Sequence, residues 1–447
     1  MRKITVERSI HIDKQGIEKE VDTIAAWASS ISYVSTKKNK LVESVYISDI
    51  RNYYFRVIGK DNPDKKENYA FIRSSEDNGY TWEKCEDWQM IEVLGPNRQT
   101  ERGVPDFFLD PDNGFLLRVS LVAEDNPEIL PWRKESPVIR TRRIYTQISK
   151  DEGKTWNKIE QLVLKGKEFD SVHWAKEIWY GKNSGAVEGS HAPKLANGTF
   201  LIPHWMNSLF EDGTMYSPDD GFMLHKAGCF IGRWQTDGNG IDWDQGEYVT
   251  LPRKFSADGA DEPSVEVLSD GRIIMIMRTT IDKRCEKAEI PSTKYYSISS
   301  DNGYTWSEPK PLRYTDNEIV YSPASLVNVF RSSKNGRLYM ITNILDKPTY
   351  GCDPRNIIQI AEIDTDTFKV IKETVTVIDK RKPEEGEPEF IRFSNFRWYE
   401  DRETKDIVLL MTPALIDPGI KKLEDIKNKK VECPMHSYRY DIHLPEE

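Results

Sequence analysis

Three copies of one eight-residue pattern run through the chain: Ser75-Glu76-Asp77-Asn78-Gly79-Tyr80-Thr81-Trp82, Ser149-Lys150-Asp151-Glu152-Gly153-Lys154-Thr155-Trp156 and Ser299-Ser300-Asp301-Asn302-Gly303-Tyr304-Thr305-Trp306. Asp77 and Asp151 stand 74 positions apart and Asp151 and Asp301 stand 150 apart, so the second gap is close to two copies of the first. The unit is therefore about 75 residues long, and a chain of 447 holds about six. In the empty middle slot, Asp237-Gly238-Asn239-Gly240-Ile241-Asp242-Trp243 keeps the aspartate, a glycine and the tryptophan with one extra residue, and reads as a degenerate fourth copy. Serine and aspartate hydrogen-bond nearby backbone, glycine supplies a positive φ, and a tryptophan just beyond it can fold back and bury. The pattern is thus a hairpin tip locked by its own indole. Repeated at this period, with several β-rich stretches per unit, it predicts a radial array of small sheets.

The octapeptide Ser-x-Asp-x-Gly-x-Thr-Trp resembles the Asp-box, or BNR repeat, of the sialidase superfamily. The resemblance covers residues from about 25 to 445 and implies an all-β fold, a six-bladed β-propeller of four-stranded antiparallel blades, with residues 1–447 in one propeller domain. In that family the boxes lie at the outer, non-catalytic edge of the blades. Asp77, Asp151 and Asp301 are therefore expected to stabilise hairpins and not to hold a metal. The N-terminal stretch alternates weakly and has no hairpin mate. A strand over about residues 3–12 is expected to pair with the last blade and close the ring, because a closed sheet array leaves no free edge.

Composition narrows the partners. A formal charge of −10 argues against nucleic acid, whose phosphates need a basic face. No apolar run is long enough to span a bilayer, and Met1-Arg2-Lys3-Ile4-Thr5-Val6 carries no apolar leader, so a cytoplasmic protein, not bound to membrane, is expected, the alternative being a secreted form whose leader has been removed. The five cysteines, Cys85, Cys229, Cys285, Cys352 and Cys433, are widely spaced and show neither paired nor metal-type spacing. They read as reduced core thiols. No cofactor motif and no metal site is expected, and the oligomeric state is left open.

Successive units share a plan of inner strand, turn and second strand. The turn at Asn197-Gly198 precedes Phe200-Leu201-Ile202-Pro203-His204, and the turn at Asp270-Gly271 precedes Ile273-Ile274-Met275-Ile276-Met277-Arg278. Since propeller blades begin at the central channel, Asp106, Glu188 and Glu262 are expected to open three consecutive blades there. Glu188 and Glu262 lie 74 residues apart, one blade pitch. Glycoside hydrolysis needs two carboxyl groups across the scissile bond, one of them protonated, and crowded carboxylates raise one pKa by repulsion. The candidate catalytic residues are therefore Glu262 and Glu188, with Asp106 as the third. Aromatic faces with polar edges suit sugar rings, and the stretch from Ser171 to Asn207 is rich in them, including His191, His204 and Trp205.

The resemblance adds roles. In the sialidase family, a strand pair similar to Glu262 to Arg278 supplies a glutamate that activates the nucleophile and an arginine that binds the substrate carboxylate. The family's Arg-Ile-Pro start is absent, with only Phe55-Arg56-Val57 distantly similar, and its Tyr-Ser motif is matched by Phe393-Ser394, so Phe393 stands where the nucleophilic tyrosine would be. The expected function is that of a glycoside hydrolase cleaving terminal sugars from glycans, with Arg278, His191, His204, Trp205 and Phe393 holding the substrate. The alternatives are a sialidase proper, a polysaccharide lyase using His191 or His204 on a uronate, and a non-catalytic glycan-binding propeller.

Overall fold

The computed structural model describes residues 3–13, 23–57, 68–95, 98–125, 140–180, 182–188, 191–209, 224–285, 290–417, 419–428 and 436–446. Six antiparallel sheets follow one another along the chain as the blades of a propeller. Blade I runs through Ile24–Tyr33, Leu41–Asp49, Tyr69–Ser75 and Glu83–Trp88. Blade II runs through Asp106–Leu109, Leu116–Asp125, Arg140–Ser149 and Glu160–Gln161. Blade III comprises Gly185–Val187, Phe200–Asn207, His225–Trp234 and Ile241–Gln245. Blade IV comprises Asp261–Val267, Ile273–Arg278, Tyr295–Ser299 and Lys310–Pro311. Blade V comprises Asn328–Arg331, Leu338–Thr342, Ile357–Asp364 and Lys369–Val370. Blade VI is built from Arg397–Glu400, Ile407–Met411 and Ser437–His443, with the N-terminal strand Thr5–Ile12 outermost in register Thr5 to His443. Among the described residues no helix is long and apolar enough to cross a membrane.

The blades hold together through the layers between them. Along Ile273–Arg278, side chains alternate between the two sheet faces. Ile273, Met275 and Met277 pack with Leu201, Cys229 and Ile231 of blade III, whereas Ile274 and Ile276 pack with Val329, Leu338 and Met340 of blade V. That is why the strand reads as an unbroken apolar run: both its faces are interior.

The three boxes occupy the turn between the third and fourth strands of blades I, II and IV. In each, the aspartate gathers the tip. In blade I, Ser75 Oγ donates to Asp77 Oδ1 (2.8 Å), and the Thr81 amide and hydroxyl donate to the two carboxylate oxygens (2.8 and 2.6 Å). Gly79 has φ +88°, and a Cβ there would stand 2.5 Å from the Tyr399 hydroxyl of blade VI. The Asp77 and Asp151 carboxyls are held down at about 2; burial opposes this at Asp77, and hydrogen bonds from the threonine and serine of each box produce it. The turn at Asp237 sits in the same place in blade III, where the Asp237 carboxylate accepts from the backbone amide (2.9 Å) and the side-chain amide (3.1 Å) of Asn239 in place of a serine and a threonine. The indoles of Trp82, Trp156 and Trp306 are half-buried, less than the expected burial, because the tips lie at the outer edge.

Register separates the two ends of a blade. Asp261 pairs with Arg278 at one end of blade IV, and Val267 pairs with Ile273, itself opposite Ser299 of the box, at the other. The boxes and the acid-bearing rim therefore lie on opposite faces. The cysteines do not all lie in the core: Cys229 and Cys285 are buried, Cys352 is half-buried and Cys85, on an outermost strand, is exposed. Cys433 falls outside the described residues.

Candidate active site

Four blades bring their inner-strand residues to one channel. Glu188 follows Gly185–Val187, its amide donating to the Pro203 carbonyl (2.9 Å), and Trp205 on the next strand donates its indole N–H to Glu188 Oε1 (3.0 Å). Blade IV repeats the arrangement with a charge: Arg278 Nη1 donates to Glu262 Oε1 (2.5 Å) and stands 3.8 Å from Asp261 Oδ2. Glu262 has φ +39°, a left-handed conformation that costs a residue with a Cβ of order 1–3 kcal/mol. The bulge there lets Asp261 and Glu262 both reach Arg278. His225 joins the two halves, with Nδ1 3.2 Å from Asp261 Oδ1 and its ring 4.5 Å from that of Trp205.

The environments push the acids apart. Enclosure by protein, then repulsion from Glu262, raises the Glu188 carboxyl to about 8 against the opposing pull of the Trp205 N–H. Burial likewise raises Asp106 to about 7, opposed by Arg397 and by a hydrogen bond with Ser30. Asp261, also buried, goes the other way: burial opposes ionisation, but His225 and Arg278 hold it below the usual carboxylate range. His225 is correspondingly raised, Asp261 outweighing burial.

Behind Arg278 lies a second basic layer. Arg278 Nη2 lies 3.8 Å from Cys352 Sγ, and Arg355 donates to the Cys352 carbonyl (2.9 Å), Ser394 Oγ (3.2 Å) and the Ala324 carbonyl. Lys294 is fully buried, its ammonium bonded to the carbonyls of Pro323 (2.8 Å) and Ser325 (2.5 Å). Burial and the neighbouring Arg278 and Arg355 depress it well below the ordinary lysine value.

The expected binding residues divide. Trp205 and Arg278 touch the two glutamates. His191 lines a cleft with Glu188, Pro203, Pro263, Ser264 and Asn328, and its Nε2 is 3.2 Å from Glu266 Oε2. His204 and Phe393 are corrections. His204 is fully buried and stacked on Phe230 (3.7 Å), burial lowering it to about 3, because neighbouring strand residues face opposite sides and Trp205 takes the channel side. Phe393 is fully buried in the layer between blades V and VI, its amide bonded to the Arg355 carbonyl (2.8 Å). Neither has surface to offer a sugar. Asp106 lies at the start of blade II, the neighbour of blade III. Phe55-Arg56-Val57 belongs to the helix Ile50–Val57 and does not form a blade-opening arginine strand. A shallow cleft lies between blades II and III, beside an Asp110–Lys194 ion pair (2.6 Å) that Trp234 also joins.

Sequence reasoning missed Asp261, His225, Arg355 and Arg397. Arg397 opens the inner strand of blade VI just as Asp106 opens that of blade II, and the same phase rule, applied to a cation, would have found it.

The profile of the BNR repeat-like domain matches residues 118–395. The chain belongs to that family. Comparison with curated proteins gives no match. Among solved structures, this BNR propeller is similar to a protein of unknown function from Dyadobacter fermentans (14% identity, TM-score 0.57, all of both chains covered). It is also similar to the intramolecular trans-sialidase from Ruminococcus gnavus, solved with oseltamivir carboxylate (11% identity, TM-score 0.56, 96% of each chain). The NanB sialidase from Streptococcus pneumoniae gives 12% identity and a TM-score of 0.54, over 97% of this chain and 73% of that one. At such identities the likeness is one of fold, a sialidase-like propeller. Among the described residues no His, Cys, Asp and Glu cluster is arranged to hold a metal ion.

Proposed function

We propose that this BNR propeller is a glycoside hydrolase that removes terminal sugars from glycans, with Glu188 as general acid and Glu262 as nucleophile or base. The observation that carries the reading is the unequal pair. Glu188 is raised to about 8 under a neutral indole, while Glu262, one blade on, is ion-paired with Arg278. Two carboxyl groups in one channel with environments this different are what acid-assisted departure of an alcohol and attack at the anomeric carbon require. The strained backbone at Glu262 supports the same reading, since such strain persists where a side chain must be aimed. Asp106 is the reserve acid, and His191 contacts the sugar from the cleft wall.

A buried phenylalanine at position 393 has no oxygen to attack carbon, so the reading assigns no tyrosine nucleophile. Burial of His204 also removes one of the two bases a lyase would use.

The test is a hydrolysis screen on aryl glycosides, with sialic acid, arabinofuranose and uronate donors in parallel. Hydrolysis of one donor class, lost in Glu262→Gln, is expected. Glycan binding without turnover, or a product absorbing in the unsaturated-uronate band, contradicts the proposal.

A further inference from the structure

Asp261 stands in the seam between blades III and IV with three neighbours. Its Oδ1 accepts from the backbone amide of Glu262 (2.9 Å) and lies 3.2 Å from His225 Nδ1, while its Oδ2 lies 3.8 Å from Arg278 Nη1. Two of these contacts support Glu262: the amide belongs to the residue with positive φ, and Arg278 holds its carboxylate (2.5 Å). The third leads to the other acid. His225 packs its ring 4.5 Å from that of Trp205, and Trp205 donates to Glu188 Oε1 (3.0 Å). His225 Nε2 has no hydrogen-bond partner among the described residues, so Asp261 and Trp205 are what orient the ring.

The backbone builds the seat. His225 opens the third strand of blade III; its amide donates to the Asp258 carbonyl (2.8 Å) and its carbonyl accepts from the Ala260 amide (3.1 Å). Gly259, between those two residues, has φ +74°, and a Cβ there would stand 2.3 Å from the His225 carbonyl oxygen. Glycine is what lets the segment leading into Asp261 approach so closely.

We propose that Asp261 and His225 are positioning residues, one bridge that sets Glu188 and Glu262 relative to each other. Asp261 acts on Glu262 directly and on Glu188 through His225 and Trp205, so a displacement at one carboxyl is carried to the other. Reacting groups tolerate little displacement, which makes such a bridge matter to the rate. An ion pair that merely joined two sheets would leave the Trp205 indole indifferent to Asp261. The consequence for catalysis rests on the proposed roles of Glu188 and Glu262; the mechanical link does not.

The test is a double-mutant cycle read by NMR at the Trp205 indole N–H, in the full chain isotope-labelled at tryptophan and assigned through Trp205→Phe. Asp261→Asn, close to isosteric, should move the indole signal, although His225 stands between the two residues. In a His225→Gln background the same substitution should leave the signal in place. If Asp261→Asn does not fold, Asp261→Ser carries the same expectation. An unmoved signal in a folded Asp261 variant, or an equal displacement in both backgrounds, overturns the proposal. Kinetics give a second readout: Asp261→Asn should slow cleavage of an activated aryl glycoside and of a glycan alike, by roughly 10-fold or more, whereas His225→Gln should slow mainly the glycan. A loss confined to the glycan in Asp261→Asn also overturns it. A coupled indole in a protein that cleaves no glycoside leaves the bridge standing and removes the hydrolase reading; an uncoupled indole in an active hydrolase does the reverse.

Discussion

The rims of blades III and IV are two versions of one design. Each carries a glutamate near its inner strand and, on the next strand, a side chain that donates to that glutamate's Oε1: Trp205 to Glu188 and Arg278 to Glu262, at separations of 17 and 16 residues. The backbone plan is shared. What differs is the donor, a neutral indole in one blade and a guanidinium in the other. A repeat duplicated around an axis supplies two carboxyl groups in equivalent places, one ion-paired and the other enclosed beside a neutral donor.

The largest expected effect comes from removing either acid. Glu188→Gln and Glu262→Gln should each lower kcat by roughly 10²–10⁴-fold, the range for loss of a positioned proton-transfer group, with substrate binding retained in equilibrium measurements. Near-normal turnover in one of them would take that residue out of the mechanism.

Next comes the substitution that erases the comparison. Trp205→Arg gives blade III the donor of blade IV. A cation beside Glu188 favours its carboxylate, so the pH at which activity falls should drop from about 8 and the rate at neutral pH should decline by roughly 10-fold or more. An unchanged pH–rate profile in a folded Trp205→Arg protein breaks the claim that the raised Glu188 carboxyl depends on having no cation beside it.

Glu188 also leaves a signature in stability. Its carboxyl is higher in the folded chain than the ordinary 4.5, so the folded state binds more protons between 4.5 and about 8 and loses stability as pH rises through that window. Glu188→Gln should therefore raise Tm more at pH 8 than at pH 4. Equal shifts at both pH values would contradict the raised carboxyl without any assay of activity.

The smallest effect on chemistry is expected on the far face. Trp306→Ala should cost roughly 1–3 kcal/mol in thermal unfolding, below the loss of a fully buried aromatic, and leave kcat unchanged. A collapse of kcat at normal Tm would mean that the box face and the acid face are not separate.

The fold was legible because its signals are local. The box residues Ser75, Asp77, Gly79 and Thr81 bond one another within a few positions, and their spacing reports the period. The places of Glu188, Glu262, Asp106 and Arg278 at or beside the ends of inner strands were legible through that same phase. What was not legible depends on which way a side chain points and on contacts between blades. His204 and Trp205 are neighbours of similar chemistry, and only the pleat decides that one faces Phe230 and the other Glu188. Arg397 is reached through a bulge at Ser29, more than three hundred residues earlier in the chain, and Arg355 acts from a loop beside Cys352. Neither carries a motif. Phe393 stood at a family position, but the layer between blades V and VI claims it for packing.

The unequal pair is tested most directly by leaving-group dependence, comparing one aryl glycoside whose phenol leaves without protonation with a glycan whose alcohol does not. In Glu188→Gln, cleavage of the activated glycoside should stay near the wild-type rate at the bond-breaking step, while cleavage of the glycan falls by orders of magnitude. In Glu262→Gln both should fall. Equal losses on both substrates in Glu188→Gln, or undiminished cleavage of the activated glycoside in Glu262→Gln, would contradict the assignment of acid to blade III and of nucleophile or base to blade IV.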